Sequence, residues 1–190
     1  MERTYIEDTT FEKIDYTERA LVSATYESCH FVNCNFSNTN LSGIQFSECV
    51  FTGCNLSMAK LGKTAFRDVT FKACKLLGLH FHDCDAFLFA VYFEHCILNV
   101  SSFYKVKLKK TIFKNTSLQE ADFTEADLSE AVLDNCDLTN AVFDNSILEK
   151  ADLRTAYNYS IDPARNSIKK AKFSVTGIAG LLDNYDIEIT

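Results

Sequence analysis

The side chains best suited to chemistry lie in one short stretch of the chain: His80, His82, Cys84, His95 and Cys96. Imidazole nitrogens and thiolates are the ligands that zinc prefers, and four of them must meet in a tetrahedron. Whether these residues can meet depends on the direction in which the backbone points each side chain. The elements that carry them therefore have to be identified first.

Other catalytic chemistry has little support in the sequence. It contains no nucleophile elbow, no glycine-rich phosphate loop and no pair of histidines spaced for a metal-binding helix. Carboxylates are abundant, but no predicted cleft would shift their pKa values toward acid–base work. We therefore expect a protein that is not an enzyme and that carries no cofactor.

The stretch from Asn115 to Leu153 repeats every five residues. From Thr116 it reads TSLQE, ADFTE, ADLSE, AVLDN, CDLTN, AVFDN, SILEK and ADLRT, with Leu or Phe in third place and a small residue in first. The same frame reaches back to Leu88, and an earlier frame, out of step by two residues, runs from Phe11 to Phe81. A period of five fits neither a helix nor a single strand.

Four such units can close one turn of a four-sided coil, with the first and third residues pointing inward. Successive turns then pair as parallel strands about 4.8 Å apart, and residues twenty positions apart stack. One predicted column is Phe11, Phe31, Phe51, Phe71 and, across a two-residue bulge at residues 82–87, Phe93 and Phe113. The repeat thus predicts an all-β solenoid, a quadrilateral parallel β-helix of about seven coils.

We divide the chain into a lead-in (residues 1–10), the β-helix (11–156) and a C-terminal cap (157–190). The net charge of −7 argues against direct binding of nucleic acid, and no apolar run is long enough to cross a membrane. All eight cysteines occupy the first place of a unit, which predicts small buried thiols instead of disulfides. With a polar N-terminus that does not resemble a secretion signal, this pattern predicts a cytoplasmic protein.

The repeat also answers the question of the metal site. It points Cys84 and Cys96 inward and the three histidines outward, so these side chains should not converge on one ion. We expect no metal here.

The tail after Ala156 should close the last open coil. Asp162 is a suitable N-cap and Pro163 a suitable first residue for a short helix, and a second helix is expected over residues 175–182. The apolar residues of the tail could cap the coil alone or also form a two-fold contact between two copies of the chain. They are Ile178, Leu181, Leu182, Tyr185, Ile187 and Ile189.

Acidic residues gather on two adjacent predicted faces, and we call this set the acidic stripe. Its members are Asp122, Glu125, Asp127, Glu130, Asp144 and Glu149. The stripe could imitate the phosphates of duplex DNA. Alternatively, it is a solvated surface whose Asp residues bond to turn amides. A nearby basic patch is interpreted as balancing surface charge, and comprises Lys105, Lys107, Lys109, Lys110 and Lys114.

The bulge is a second candidate surface. Phe87, Phe89 and Tyr92 are expected to face outward or to lie in the bulge, where exposed aromatic side chains would mark a protein contact. Local repacking around an old insertion is the alternative.

The repeat resembles that of the pentapeptide-repeat proteins, over roughly residues 9–156. The resemblance implies a right-handed quadrilateral β-helix. In length, in cysteine at the first place and in the tail, the chain looks most like the quinolone-resistance and microcin-immunity group. That group implies a dimer joined at its C-terminal ends, and a partner that is DNA gyrase or topoisomerase IV, bound where the DNA would lie.

On this resemblance, the acidic stripe would stand in for phosphates. Plasmid quinolone-resistance members carry longer loops on their coils, whereas this chain has only a two-residue slip. The alternative is a scaffold that binds another protein partner, for example through the bulge.

Overall fold

The computed structural model describes residues 4–185 and 187–188. It is a four-sided parallel β-helix of about eight turns, which confirms the predicted all-β solenoid. Across the described residues, every helical segment is too short to span a bilayer.

Thirteen short strands are found in the described residues. They are β1 (Thr4–Glu7), β2 (Thr10–Glu12), β3 (Ala24–Glu27), β4 (His30–Val32), β5 (Gln45–Ser47), β6 (Val50–Thr52), β7 (Ala65–Arg67), β8 (Val69–Lys72), β9 (Val91–Glu94), β10 (Ile112–Lys114), β11 (Val132–Asp134), β12 (Asp152–Leu153) and β13 (Lys172–Phe173). One face is a nine-stranded sheet in the order β13-β12-β11-β10-β9-β8-β6-β4-β2, and another is a four-stranded sheet in the order β1-β3-β5-β7. Isolated parallel bridges join the coils elsewhere.

Stacked aromatic rings form the core beneath the larger sheet. The Phe31 and Phe51 ring centroids are 4.6 Å apart, and those of Phe93 and Phe113 are 5.2 Å apart, with nearly parallel planes in both pairs. These four side chains are fully buried. Burying one such side chain contributes roughly 1.5–3 kcal/mol, so the columns hold the thin rod together.

The first place of each unit is held by a small residue that can bond to the preceding coil. The Cys54 thiol donates to the Phe31 carbonyl at 3.3 Å, and the Thr64 hydroxyl donates to the Leu41 carbonyl at 2.9 Å. All eight cysteines are free thiols, and Cys84 alone among them is only half-buried. Burial raises the pKa of Cys49 and of Cys136 to about 12, which keeps these thiols protonated.

The corners of the coil are formed by residues whose backbone adopts the left-handed conformation. The last residue of almost every unit has a positive φ, for example 57° at Glu120 and 60° at Glu130. The second residue often closes the same turn: the Thr124 amide donates to the Asp122 carboxylate at 2.9 Å. Asp in second place therefore has a structural role, as one of the two interpretations of the sequence predicted.

Both ends of the solenoid differ from the division predicted. β1 lies within the expected lead-in and pairs with β3. At the other end, β13 pairs with β12, so the coils continue to Phe173 instead of stopping at residue 156. The repeat seemed to end because Asn158 and Pro163 stand where large apolar centres are due; Ile168 and Phe173 are back in the five-residue frame.

The α-helix predicted to begin at Asp162 is wrong. Residues 162–166 form a single turn, in which the Asn166 amide donates to the Asp162 carbonyl at 3.2 Å. The structure contains only 3₁₀ segments in the described residues, at Phe81–Asp83, Ile178–Leu181 and Asp183–Tyr185. The last two replace the helix predicted over residues 175–182.

Candidate protein-interaction surfaces

The acidic stripe lies on two neighbouring faces, as predicted. Asp122 bridges Ser102 and Val142 on one face, and Asp127 bridges Lys107 and Ile147 on the next. Asp122 accepts hydrogen bonds from the Thr124 amide and the Ser102 hydroxyl. Asp127 accepts one from the Ser129 amide at 3.0 Å. These two carboxylates therefore hold turns while also adding negative charge.

Three other members of the stripe take part in ion pairs. Lys105 Nζ is 3.4 Å from a Glu125 carboxylate oxygen, and Lys109 Nζ is 3.7 Å from one of Glu130. A guanidinium nitrogen of Arg165 is 2.6 Å from Asp144 Oδ1. Exposed pairs of this kind contribute little net free energy, but they reduce the negative potential of the stripe.

The face that carries Asp127, Glu130 and Glu149 also carries many lysines. The Glu130 amide donates to the Glu149 carbonyl, and the Lys150 amide donates to the Lys169 carbonyl, so these residues lie on consecutive coils. Lys107, Lys109 and Lys110 of the basic patch lie on the same face, beside Asp127 and Glu130. Negative charge is thus more concentrated on the Asp122 face. Comparing residues twenty positions apart would have revealed this, because Lys110 and Lys150 flank Glu130.

The bulge is a two-residue insertion. β8 and β9 pair Val69 with Val91 and Phe71 with Phe93, an offset of twenty-two, whereas β9 and β10 return to twenty by pairing Phe93 with Phe113. The extra residues lie on the face of the four-stranded sheet, which ends at β7. The column under the larger sheet therefore continues without a break.

The aromatic side chains of the bulge have different surroundings. Phe87 is 66% exposed, and its ring centroid lies 5.7 Å from the Arg67 guanidinium carbon. A guanidinium nitrogen of Arg67 also lies 3.6 Å from an Asp85 carboxylate oxygen. Phe89 is half-buried and packs its ring edge-to-face against Phe81. Tyr92 is half-buried within β9.

The five-residue spacing predicts that Leu88, as the first large apolar residue of the second frame, points inward, and this prediction is wrong. Leu88 is 64% exposed and has a φ of 57°, the left-handed conformation of a corner residue. Phe89 occupies the inward position instead, because the turn within the insertion leaves the frame one residue later than the spacing suggests. Next to Phe89 is a hollow of about 150 Å³ with an apolar floor and a basic rim. Its floor is Phe81, Cys84, Ala86, Phe89 and Val106, and its rim is His82, Tyr104, Lys105 and Lys107.

The tail docks on the last coil and leaves apolar side chains in water. The Ile161 amide donates to the Gly180 carbonyl at 2.8 Å, and Leu181 packs against the core. Leu182 is half-buried, whereas Ile178, Tyr185 and Ile187 are each more than half exposed. Ile189, part of the same prediction, lies outside the described residues. These exposed side chains are available for a two-fold contact between two copies of the chain, which stays a prediction.

The five residues first considered for zinc do not come together. Cys96 is buried in the core, His95 lies at the corner that follows β9, and His80 and His82 project from the start of the bulge. The direction of Cys96 and the histidines follows the prediction from the repeat.

Comparisons with known proteins agree with this architecture. A family model described as a pentapeptide repeat region matches residues 24–87 and 86–157. No curated protein sequence matches the chain closely enough to count as a relative. These matches and the structural ones below concern the repeat and the fold.

Two solved structures are similar along most of their length. A trypsin-treated variant of QnrB1, a plasmid-mediated fluoroquinolone resistance protein, has a TM-score of 0.55 at 18% identity, covering 98% of this chain and 99% of that one. HetL, a pentapeptide repeat protein involved in heterocyst differentiation regulation from the cyanobacterium Nostoc sp. strain PCC 7120, has a TM-score of 0.53 at 17% identity. That match covers 90% of this chain and 86% of HetL.

Proposed function

This chain belongs to the pentapeptide-repeat family, and from that premise we propose that it is a non-enzymatic interaction rod that binds a type II topoisomerase such as DNA gyrase. The observation that carries the proposal is the end-to-end likeness of the rod to a fluoroquinolone resistance protein. The sequence resemblance to the quinolone-resistance group implies the same class of partner. The rod would occupy the groove in which the enzyme holds duplex DNA, and would thereby alter sensitivity to quinolones or to toxins.

The acidic stripe is the surface proposed to enter that groove. Its outer carboxylates are those of Glu125, Glu130 and Glu149, and each is held by exposed side chains. Lysines pair with the first two, the Tyr104 hydroxyl also donates to Glu125, and the Ser167 hydroxyl donates to Glu149. Exposed ion pairs break at little cost. A basic groove could therefore displace the lysines and bind the carboxylates in their place, which complementary charge would favour.

The carboxyl groups with shifted pKa values do not have the properties of general acids. A carboxyl group that donates a proton near neutral pH needs a raised pKa. Hydrogen bonds instead lower the pKa of the following carboxyl groups: Asp15 (from Thr17), Glu94 (from Lys114) and Asp152 (from Arg154). In Asp137, burial acts in the opposite direction, but hydrogen bonds from Thr139, Gln119 and Asn158 lower the pKa overall.

The test is DNA supercoiling by gyrase at increasing concentrations of this protein, with and without a quinolone. Binding in place of DNA predicts inhibition of supercoiling, or protection from the drug, that weakens as salt rises, because screening reduces the attraction of exposed charges. An unchanged supercoiling rate and unchanged drug sensitivity at both low and moderate salt would overturn the topoisomerase proposal.

Charge variants identify the surface. Replacing Glu125, Glu130 and Glu149 by Lys should abolish the effect, since none of these side chains is bonded to a turn amide. The matched control removes the neutralising lysines: Lys105→Gln, Lys109→Gln and Lys110→Gln in one protein should strengthen the effect, because Glu125 and Glu130 then have no lysine partner. If both variants act like the original protein, the stripe is not the contact.

A scaffold that binds another protein through the bulge is the second candidate. Two features of the bulge favour it: the exposed ring of Phe87 and the apolar hollow next to Phe89. Phe87→Ala should leave a topoisomerase effect intact, because Phe87 lies in the insertion and outside the acidic stripe. Loss of that effect in Phe87→Ala would place the topoisomerase contact at the bulge.

A further inference from the structure

A short turn at the start of the bulge brings two histidines and a carboxylate together. The Asp83 amide donates to the His80 carbonyl at 3.2 Å, and Phe81 points into the core between the two histidines. The ring centroids of His80 and His82 are 5.2 Å apart, and His82 Nε2 lies 3.7 Å from Asp83 Oδ1. One ligand-capable atom from each of the three residues lies within 4.8 Å of the others.

A hydrogen-bonded chain connects His82 to Asp122. Ser102 Oγ donates to Asp122 Oδ2 at 3.2 Å, and His82 Nδ1 lies 3.1 Å from the same Oγ. When the single Ser102 proton is donated to the carboxylate, the Ser102 oxygen accepts from His82 Nδ1–H. In the neutral ring, this arrangement leaves the lone pair on Nε2, the nitrogen that lies near Asp83.

We propose that His80, His82 and Asp83 form a surface site for a divalent transition-metal ion of the class that prefers imidazole, such as Zn²⁺, Co²⁺ or Ni²⁺. Two imidazoles and one carboxylate supply three ligands, and water would complete the shell. Metal–ligand distances of about 2.0–2.2 Å require the three ligand atoms to approach further. The side chains are exposed, so rotation about their own bonds can achieve this without moving the core.

Ser102 has the position of a residue that orients a ligand without touching the metal. A metal-bound histidine commonly donates its other ring N–H to an oxygen, which sets the tautomer and the ring direction. Asp122 would polarise the chain from its far end. This arrangement of Asp122, Ser102 and His82 distinguishes the cluster from histidines that are merely close on a surface.

The set differs from the one first considered in the sequence. Asp83 takes the place of Cys84 and Cys96 as a candidate ligand. The first set contained only His and Cys side chains, so it did not include this carboxylate. The exposed His30 and His95 lie outside the cluster and provide matched controls.

The experiment is calorimetric titration of Zn²⁺ into the full chain without a polyhistidine tag, kept under a non-thiol reductant. We expect one site per chain. His80→Ala, His82→Ala and Asp83→Asn should each weaken binding more than about tenfold, Ser102→Ala about tenfold, and His30→Ala or His95→Ala not at all. Absent binding, or binding that survives in a double His80→Ala, His82→Ala variant, would overturn the proposal.

Two further measurements use the unaltered protein, so that a variant which fails to fold does not decide the matter. Bound Co²⁺ should give ligand-field absorption without a thiolate charge-transfer band. Zn²⁺ should also protect His80 and His82, but not His95, from diethylpyrocarbonate. A thiolate band, or equal modification of all these histidines with and without metal, would contradict the assignment.

Discussion

Phe71 stacks on Phe93 with ring centroids 5.4 Å apart and planes inclined by 11°, although the two residues are separated by one insertion. Every other step of this column spans twenty residues, and this one spans twenty-two. The insertion is absorbed on a different face, so neither the strand pairing nor the aromatic column changes. Core and surface are thus largely independent in this rod.

The first prediction tests the inward and outward assignment within one strand. Phe113→Ala should lower the free energy of unfolding by about 3–5 kcal/mol, because it removes a fully buried ring from the column. Its neighbour Ile112 is 39% exposed, so Ile112→Ala should cost much less. Urea unfolding followed by circular dichroism measures both, and equal losses would contradict the assignment.

The second prediction concerns the small first place of the repeat. Cys54→Ser should keep the fold with a loss of about 1 kcal/mol, since a hydroxyl can donate to the Phe31 carbonyl as the thiol does. Ser146 already does this, donating to the Phe123 carbonyl at 2.8 Å. Cys54→Leu is the contrasting variant, because the core has no room for the larger leucine side chain, and it should destabilise the fold. A Cys54→Ser protein that fails to fold would refute this account of the first place.

The third prediction concerns a corner residue that is unsuited to its conformation. Val100 has a φ of 59° and is 59% exposed, although β-branched residues strongly disfavour left-handed backbone. Val100→Asn should raise the free energy of unfolding by about 1 kcal/mol. The control is Asn140→Val at the equivalent corner two coils later, where φ is 56°, and it should lower stability by a similar amount. Thermal unfolding of both variants measures the two signs.

The fourth prediction concerns acid stability. Hydrogen bonds from Arg154 lower the pKa of the Asp152 carboxyl below its ordinary 3.8. Because the folded state binds this proton less readily than the unfolded state, the contribution is present above pH 3.8 and disappears as pH falls through the lowered value. The Arg154 side chain is largely exposed, so solvent screens the pair and the contribution is small.

Urea unfolding between pH 7 and pH 2 measures this contribution. Asp152→Asn should lose stability at neutral pH and show a flatter decline on acidification than the original protein. Arg154→Met should remove part of the same pH dependence, since it deletes the guanidinium donor but leaves the residue-154 amide and Lys172 beside the carboxylate. Unaltered pH profiles in both variants would show that the pair does not contribute.

The fold was predictable because the period of five is a direct consequence of a four-sided coil. The end of the coil was not, since Asn158 and Pro163 lack the large centre. The buried Ile161 stands in the first place of its unit, where the repeat usually has a small residue. In the insertion, spacing alone could not decide between Leu88 and Phe89, because a turn within the loop sets which one points inward.

The candidate surfaces were less predictable than the core. The period assigns each charged residue to a face, and so located the acidic stripe. It does not show where long side chains point. The pair between Arg165 and Asp144, and the chain from His82 through Ser102 to Asp122, depend on rotamers and on the turn at the bulge.

The two-residue insertion in the bulge has a consequence for how such a protein can be altered. Since coils on both sides keep their pairing, a longer peptide placed there would mainly add loop entropy, about 0.6 kcal/mol for each doubling of length. The corner is therefore a natural grafting position, at which a foreign epitope could be displayed on a stiff support. A new surface loop could arise there, by design or by evolution, without any compensating change in the core.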